Sequence, residues 1–367
     1  MKTYKHLYEQ YISDENIVRA IRECRPRNRS HILIDKMLAD TDTWIPVVRS
    51  WAIDFKNAKH TPKVIYDGVS RKKREIIVPT DKEQIIHHML MNVFEQVLMK
   101  GLYEHAYGSI KGRGAELCKS YIERDIRNKS QIKYFLKMDI RKYYNSINTQ
   151  ILIRKLREVI KDKKYLEVLE EIINVQPIGL PLGFYTSQML AQFYLKDFDR
   201  FVKEELKAPF YYRYVDDIVI HANSKRYLHT VEHAIIDYLN NELALDVNNK
   251  TQVFRFSYID RNGKQRGRDL DFLGYRFFRN KTILRKSVML KSTRKAKRIY
   301  KKNKFTTYDA RQMMSYMAKV DKADVYLMYL KRIKPYVSVK KCKRKISAHD
   351  RKKRKEVTIY VVQNRND

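Results

Sequence analysis

The sequence predicts an α+β fold in which helical segments surround a small antiparallel sheet. Aromatic and β-branched residues on both sides of the segment Tyr214–Asp217 (YVDD) predict two short strands joined by a turn. A second apolar strand, Tyr134–Ile140, carries an acid, Asp139, near its end. Apolar residues at helical spacing before and after this region complete the pattern. We therefore expect the sheet to carry all three acids.

The helical segments lie on both sides of the predicted sheet. Residues 1–60 carry apolar side chains at helical spacing, as at Leu33, Ile34 and Met37. Residues 287–340 contain further stretches of this kind, whose Met and Tyr side chains we expect in the core. The strongly basic segment after them is compatible with either an ordered RNA contact or a disordered arm.

A further helix is predicted over residues 82–94, with a mostly apolar face. It contains His87 and His88, a pair that invites a metal-site interpretation. Adjacent positions point to different sides of a helix, and neither histidine has a partner at the i, i+4 spacing of a zinc pair. We therefore do not expect a metal there.

The charge of the chain indicates a polyanionic partner. The 367 residues include 77 Lys and Arg against 42 Asp and Glu, a net charge of +35, and a hydrophobic content of 44% is ample for a core. The excess is uneven, since Lys281 to Glu356 holds 27 basic and five acidic residues. This predicts nucleic-acid binding that weakens steeply with salt, because each neutralised phosphate releases counterion.

Cysteine usage and hydropathy bear on the compartment. Cys24, Cys118 and Cys342 are far apart and odd in number, which argues against a disulfide framework or a cysteine zinc site and fits a reducing compartment. The first residues lack an apolar signal core, and no stretch approaches the roughly 18 apolar residues of a membrane span. We expect a cytoplasmic protein with no membrane partner.

Three carboxylates in this arrangement predict a divalent-metal site. Phosphoryl transfer onto nucleic acid uses two ions roughly 3.5–4 Å apart. Mg²⁺ prefers oxygen ligands and retains several waters, so two or three carboxylates plus substrate phosphates suffice. Asp139 and Asp216, with Asp217 as a third carboxylate, meet this need. Adjacent acids also occur at turns simply because Asp tolerates turn geometry, so the interpretation depends on the upstream Asp139.

The order of the motifs resembles that of a reverse transcriptase over most of the chain. Residues 138–144 (MDIRKYY) resemble the first palm motif, residues 179–188 (GLPLGFYTSQ) the second, and the YVDD segment the third. The resemblance implies a right-hand polymerase with fingers, palm and helical thumb. The regions it implies are an N-terminal helical extension (1–60), fingers (61–130), palm with the small antiparallel sheet (131–278), helical thumb (279–340) and a basic C-terminal tail (341–367).

Further segments fit the same resemblance. Residues 71–79 (RKKREIIVP) resemble the fingers strand whose basic residues hold the triphosphate. Residues 107–115 (YGSIKGRGA) resemble a fingers loop of bacterial intron, retron and diversity-generating enzymes, in which glycines permit close approach and basic residues meet phosphates. Residues 270–277 (LDFLGYRF) resemble the primer-grip hairpin, where Gly274 suits a tight bend.

The resemblance implies roles for individual residues. Tyr144 would be the steric gate that rejects a ribose 2′-hydroxyl. Lys250 would donate a proton to pyrophosphate, although a solvated lysine after a helix explains it equally well. The implied catalytic residues are Asp139, Asp216, Asp217 and Lys250, the first three also binding metal; the implied nucleotide-binding residues are Arg74, Lys72, Tyr144, Leu182, Gly183 and Gln188; the implied nucleic-acid-binding residues are Lys111, Arg113, Gly274 and Tyr275.

The second motif departs from the commonest pattern of the family. Many reverse transcriptases place Gln before the glycine, whereas this chain has Leu182 before Gly183. That variant resembles the enzymes of diversity-generating retroelements and some defence-associated ones, and it implies relaxed fidelity. The alternative, that Leu182 is only a packing residue, stays open.

The sequence thus predicts an RNA-directed DNA polymerase that makes cDNA from dNTPs with two Mg²⁺ ions, or Mn²⁺ in their place. The resemblance implies a structured noncoding RNA as template partner, a DNA or RNA primer, and a diversity-generating or antiphage-defence system; it leaves an accessory protein open. Two alternatives remain. One is a template-independent DNA-extending enzyme of a defence system, and the other is an RNA-binding scaffold or maturase-like protein with polymerase form.

Overall fold

The computed structural model describes residues 3–25, 31–66, 73–128 and 132–363, with side chains up to residue 352. The chain forms two compact units. The first consists of residues 1–27, 31–118 and 133–254, and the second of residues 28–30, 119–132 and 255–367. Within the described ranges no helix is long and apolar enough to cross a membrane.

Helices make up most of the regular structure, as the apolar periodicity predicts. Those of the described residues are α1 (Leu7–Tyr11), α2 (Asp14–Cys24), α3 (Ile32–Ala39), α4 (Thr41–Ile53), α5 (Asp81–Met99), α6 (Ala115–Asn128), α7 (Tyr143–Ser146), α8 (Thr149–Val159), α9 (Lys163–Ile173), α10 (Tyr185–Tyr194), α11 (Lys196–Arg200) followed by a π-helical turn (Phe201–Glu205), α12 (Lys225–Leu243), α13 (Lys286–Tyr300), α14 (Thr307–Val320), α15 (Tyr326–Arg332) and α16 (Val339–Gln363).

The strands of the described residues are short and form four separate sheets. In chain order they are β1 (Lys63–Tyr66), β2 (Lys73–Ile76), β3 (Ala106–Tyr107), β4 (Tyr134–Asp139), β5 (Phe210–Tyr214), β6 (Asp217–Ala222), β7 (Gln252–Arg255), β8 (Tyr258–Ile259), β9 (Gln265–Arg266), β10 (Leu270–Phe272), β11 (Tyr275–Phe277) and β12 (Thr282–Leu284). The largest sheet has the order β3-β5-β6-β4-β7.

This five-stranded sheet is the predicted small sheet, with Asp139 and Asp217 on its strands and Asp216 in the turn between two of them. Strand β6 pairs antiparallel with both β4 and β5. One edge differs from the expectation of an antiparallel sheet, because β3 runs parallel to β5. Parallel neighbours need a long crossover, and the chain between β3 and β5 supplies one that contains helices α6 to α11.

The sheet is buried deeply enough to be a rigid support. Helix α12 packs on β4 and β6, and every residue of β6 after Asp217 is buried. A strand buried along its length needs apolar side chains in succession, which the run Ile218, Val219 and Ile220 provides. The buried strands on both sides therefore stabilise the predicted strand–turn–strand around YVDD. The acids lie at its turn.

Helices α1, α2 and α4 pack on α5, which begins with a capping box. The Thr80 side chain accepts from the Glu83 backbone, and the Glu83 carboxylate accepts from the Thr80 backbone. Glu83 also accepts from the ring of His60 at 2.9 Å. His87 is fully buried in α5, with its ring 4.6 Å from that of Phe184.

The second unit contains the β10-β11-β12 sheet, the β8–β9 hairpin and the helices from α13 onward. Helix α16 packs on α14, and Arg311 and Asp350 form an ion pair at 2.6 Å. Helix α16 runs through the basic tail as far as Gln363, and the RNA contact stays a prediction.

Two buried histidines predict a loss of stability in mild acid. His221 is fully buried in β6 between Phe135 of β4 and Phe210 of β5, its cross-strand partners. Burial lowers the pKa of His221 to about 3, and burial likewise lowers the pKa of His87 to about 3. The unfolded chain takes up these protons near pH 6.5 while the folded chain does not, so stability present above pH 6.5 is lost as the pH falls below it.

Each histidine should remove about 1.4 kcal/mol of unfolding free energy between pH 7.5 and pH 5.5. Urea denaturation at the two pH values measures this loss. The variant His221→Phe, which fits an already aromatic environment, should lose less stability on acidification than the wild type by about that amount. An identical pH dependence in both proteins would contradict the assignment.

Candidate active site

The three predicted acids meet at one end of the five-stranded sheet. Antiparallel pairing of β4 with β6 places Asp139 directly opposite Asp217, and opposite residues in such a pair have neighbouring side chains. Asp216 lies in the turn between β5 and β6, and its carbonyl accepts from the Ile140 backbone at 3.3 Å. The register of one strand pair therefore brings together acids that are more than 70 residues apart in sequence.

The nearby cations do not fully compensate the negative charge of the acids. Burial raises the pKa of Asp216 to about 6, and the negative charge of Asp139 adds to the rise. A backbone hydrogen bond and the cations Arg74 and Arg213 act in the opposite direction without cancelling it. A bound cation would favour the ionised carboxylates, because opposite charge stabilises the charged form.

The donor atoms suit a hard divalent cation. All three side chains offer carboxylate oxygens, the ligands that Mg²⁺ and Mn²⁺ prefer. Among the described residues no group of three or more His, Cys, Asp or Glu side chains is placed to hold a metal ion by itself. Mg²⁺ usually keeps several waters and is bound by one or two carboxylates together with substrate phosphates, so these acids would hold it with the substrate present.

Asn248 is a site residue that sequence reasoning missed. Its side-chain amide donates to the Asp139 carboxylate at 2.9 Å, and its backbone donates to the Asp139 carbonyl at 2.7 Å. The amide thereby orients the carboxylate. Lys250 lies two residues further on, exposed in a turn, with its backbone N–H donating to the Asn248 side chain at 3.2 Å. In this segment the contact with Asp139 comes from Asn248, and the role of Lys250 stays a prediction.

The loop before α10 joins the first motif to the β2 strand. The backbone of Leu180 donates to the Tyr144 carbonyl at 2.7 Å, and that of Ile77 donates to the Leu182 carbonyl at 2.7 Å. Gly183 has φ +113°, and a Cβ there would lie 2.2 Å from the Ile77 carbonyl oxygen. Only glycine allows this approach. Leu182 is half-buried beside it.

Tyr144 lies close enough to Asp216 for the charge of that carboxylate to act on its phenol. Burial raises its pKa to about 12, the charges of Asp216 and Tyr214 contribute, and a hydrogen bond with Ser109 opposes them. The phenol is therefore neutral at physiological pH. Its ring packs at a tilt on Tyr143, with centroids 5.6 Å apart. The steric-gate role stays a prediction.

The predicted nucleotide-binding residues differ in what the structure describes. Arg74 is exposed on β2, opposite Ile65 of β1, and its charge acts on Asp216. Lys72 lies outside the described residues. Gln188 is exposed on α10, so its side chain is open to a ligand.

The glycine loop uses its two basic residues differently. Lys111 is exposed at the tip. Arg113 is half-buried, and its guanidinium donates to the carbonyls of Tyr103 at 2.7 Å and Glu104 at 3.3 Å. Its backbone carbonyl accepts from Gly108 at 2.9 Å. Arg113 therefore shapes the loop, while Lys111 is the cation presented outward.

In the second unit, residues 270–277 form the predicted hairpin. Leu273 and Gly274 make its turn, both at positive φ, and the Lys319 ammonium donates to the Leu273 carbonyl at 3.4 Å. Tyr275 is fully buried. Ammonium groups of Lys119 and Lys319 lie 5.3 and 5.9 Å from its ring centroid. The tyrosine supports the hairpin from inside, while in the turn Leu273 is half-buried and Gly274 is buried against the Lys319 side chain.

A mixed sheet that presents opposed acids at its end, flanked by helices, is the palm of a right-hand polymerase. The family model for reverse transcriptase (RNA-dependent DNA polymerase) matches residues 59–277, more than half of the 367 residues. The chain belongs to the reverse transcriptase family.

The similarity to individual relatives is low and covers only part of each chain. The retron Ec73 reverse transcriptase of Escherichia coli is 28% identical over 174 residues, which cover 43% of this chain and 52% of that protein. An uncharacterized 91 kDa protein in the cob intron of Schizosaccharomyces pombe is 24% identical over 161 residues, 41% of this chain and 20% of that protein. The matched region thus spans about half of the retron enzyme and a fifth of the intron protein.

Among solved structures, an apo telomerase from Candida tropicalis is similar with a TM-score of 0.48 and 14% sequence identity, covering 79% of this chain and 59% of that chain. The likeness is too loose to add to the family assignment.

The close approach at Gly183 predicts a sharp sensitivity to a single methyl group. Gly183→Ala must push the Leu182 loop away from Ile77, so we expect the KM for dNTP to rise about tenfold, equivalent to about 1.4 kcal/mol. Steady-state extension assays measure this change. Gly263→Ala is the matched control, because Gly263 also has a positive φ, +73°, while a Cβ there meets nothing within 4 Å. Equal kinetics in the two variants would show that the approach has no role in substrate binding.

Proposed function

We propose that this protein is an RNA-directed DNA polymerase that synthesises cDNA on an RNA template. The observation that carries the proposal is the pairing of Asp139 with Asp217 beside Asp216, in a chain of the reverse transcriptase family. The net charge of +35 supports a nucleic-acid partner. The half-length match to a retron reverse transcriptase supports a retroelement context.

In the proposed reaction the primer 3′-hydroxyl gives its proton to solvent, and its oxygen attacks the α-phosphorus of the dNTP. A new P–O bond forms as the bond to pyrophosphate breaks, and the leaving group keeps the electron pair. Asp139, Asp216 and Asp217 would hold two divalent ions, Mg²⁺ or alternatively Mn²⁺. Such ions activate the attacking oxygen and stabilise the leaving one when bound. Asn248 orients the Asp139 carboxylate through its amide.

The remaining residues act on substrates in this proposal. Arg74, with Lys72, would hold the triphosphate, and Lys250 would donate a proton to pyrophosphate. The nascent base pair would contact Leu182, Gly183 and Gln188. Because Leu182 is apolar, it offers no side-chain hydrogen bond there, which favours relaxed fidelity. Template and primer would contact Lys111 and the hairpin turn at Gly274, with Arg113 shaping the glycine loop and Tyr275 supporting the hairpin. The inferred partners are a structured noncoding RNA and a DNA or RNA primer, with an accessory protein left open.

The first test is Mg²⁺-dependent extension of a DNA primer on a defined RNA template. We expect extension by the wild type and a loss of at least about 100-fold in Asp216→Ala, because a displaced or missing catalytic group has effects of this size. Asp237→Asn, which changes an exposed acid of α12, should extend normally.

The product sequence distinguishes the alternatives. Product complementary to the template supports reverse transcription, and errors at particular template bases support a diversity-generating role. Untemplated product would support a DNA-extending enzyme that needs no template. If the wild type and both variants bind the cognate RNA but none of them extends the primer, the result would favour an RNA-binding scaffold and reject the proposal.

Tyr144 should determine the choice of sugar. Replacing it with alanine removes the ring beside the acids, so we expect Tyr144→Ala to accept ribonucleotides at least about tenfold better than the wild type, a difference of about 1.4 kcal/mol. Single-nucleotide incorporation with dNTP and NTP measures the ratio of kcat/KM values. Tyr144→Phe, which keeps the ring, should remain selective. Unchanged selection in Tyr144→Ala would assign the gate elsewhere.

A further inference from the structure

Arg213 is a fully buried cation three residues before Asp216. Its guanidinium donates to both oxygens of Asp199, from Nε at 2.7 Å and from Nη2 at 2.5 Å. Nη1 donates to the Gln192 side chain at 2.8 Å and to the Val215 carbonyl at 2.9 Å. One side chain of β5 thus connects two helices with the turn that carries Asp216.

Stability alone does not explain this arrangement. Asp199 is fully buried and also accepts from the Tyr211 hydroxyl at 2.6 Å, so the pair is well satisfied. Even so, buried ion pairs are often replaceable by packed apolar residues without loss of stability, because desolvation offsets the attraction. What an apolar residue could not provide is the hydrogen bond to Val215.

Val215 has a backbone conformation that needs support. Its φ is +58°, a region that β-branched residues rarely occupy, and such strain costs about 1–3 kcal/mol. Two hydrogen bonds hold it, from its own N–H to the Tyr107 carbonyl at 3.0 Å and from Arg213 to its carbonyl. The conformation of Val215 sets the direction in which the next residue, Asp216, leaves the strand.

The glycine loop shares the same support. Gln192 donates to the carbonyls of Gly108 at 2.6 Å and Tyr107 at 3.2 Å. A Cβ on Gly108 would lie 2.6 Å from the Val215 side chain, so the loop backbone packs directly on the turn. Arg213, Gln192 and Asp199 therefore form a buried network, which we call the Arg213 clamp.

We propose that Arg213 is a positioning residue, which holds Val215 in its left-handed conformation and so fixes the Asp216 carboxylate for metal and substrate. Asp199 orients the guanidinium from one side, and Gln192 ties it to the Gly108 loop. The inference rests on the proposed function, but it can be tested separately from it. Because Arg213 is fully buried, it acts on substrate through the turn and the Gly108 loop and not by contact.

The first variant is Arg213→Lys, which keeps the charge. A lysine ammonium lacks the planar fork that serves Asp199, Gln192 and Val215 together. We expect kcat to fall about 100-fold, as for a reacting group displaced by about 1 Å, with the KM for dNTP and for primer–template unchanged. Arg157→Lys is the matched control, because Arg157 forms a bidentate pair with Glu170 at 2.8 Å on the surface.

The second variant separates position from stability. The triple change Asp199→Leu, Arg213→Met and Tyr211→Phe replaces the buried pair and its hydroxyl donor with apolar side chains. We expect cooperative urea unfolding close to that of the wild type, together with the same loss of kcat. Mn²⁺ affinity, measured from the electron paramagnetic resonance signal of free Mn²⁺, should weaken about tenfold in both variants.

The outcomes are distinct. A folded triple variant with wild-type kcat and Mn²⁺ affinity would overturn the clamp. If the triple variant does not fold, Arg213→Lys decides by the same two measurements. If the wild type extends no primer, the proposed function fails, and the clamp is then judged on Mn²⁺ affinity alone.

Discussion

The register between β4 and β6 is the constraint on which the site depends. It sets Asp139 opposite Asp217 and brings the Ile140 backbone to the Asp216 carbonyl. A slip of one residue would turn one carboxylate to the other face of the sheet, because side chains alternate along a strand. The apolar burial of β6 opposes that slip. A carboxylate cluster can therefore persist at the end of a sheet that is stabilised almost entirely by its other residues.

Several backbone contacts around the acids leave no room for a side chain. Gly183 meets Ile77, Gly108 meets Val215, and Gly179 has backbone atoms of Tyr144 and Asn145 at 2.7 Å from where a Cβ would lie. Each contact ties a loop to a motif that carries a candidate residue. Glycine permits these close approaches, and hydrogen bonds such as that from the Leu180 backbone to the Tyr144 carbonyl add direction.

Charge at the site is arranged at a cost to the folded state. The acids repel one another, and burial adds to the free energy needed to ionise Asp216. Val215 contributes backbone strain next to it. Two cations, the fully buried Arg213 and the exposed Arg74, partly offset the rise in the pKa of Asp216. A site of this kind is stabilised by added positive charge, which agrees with the divalent ions of the proposed reaction.

The sequence by itself determined the α+β class, the strand–turn–strand around YVDD and the acids that meet there, because local patterns of β-branched and aromatic residues specify strands and turns. Tertiary structure alone decided the parallel edge strand β3, the Asn248 contact with Asp139, and the ties of Arg213 to Asp199 and Val215. These contacts join residues through strand register and helix packing, and a polar residue read in isolation carries no sign of its distant partner.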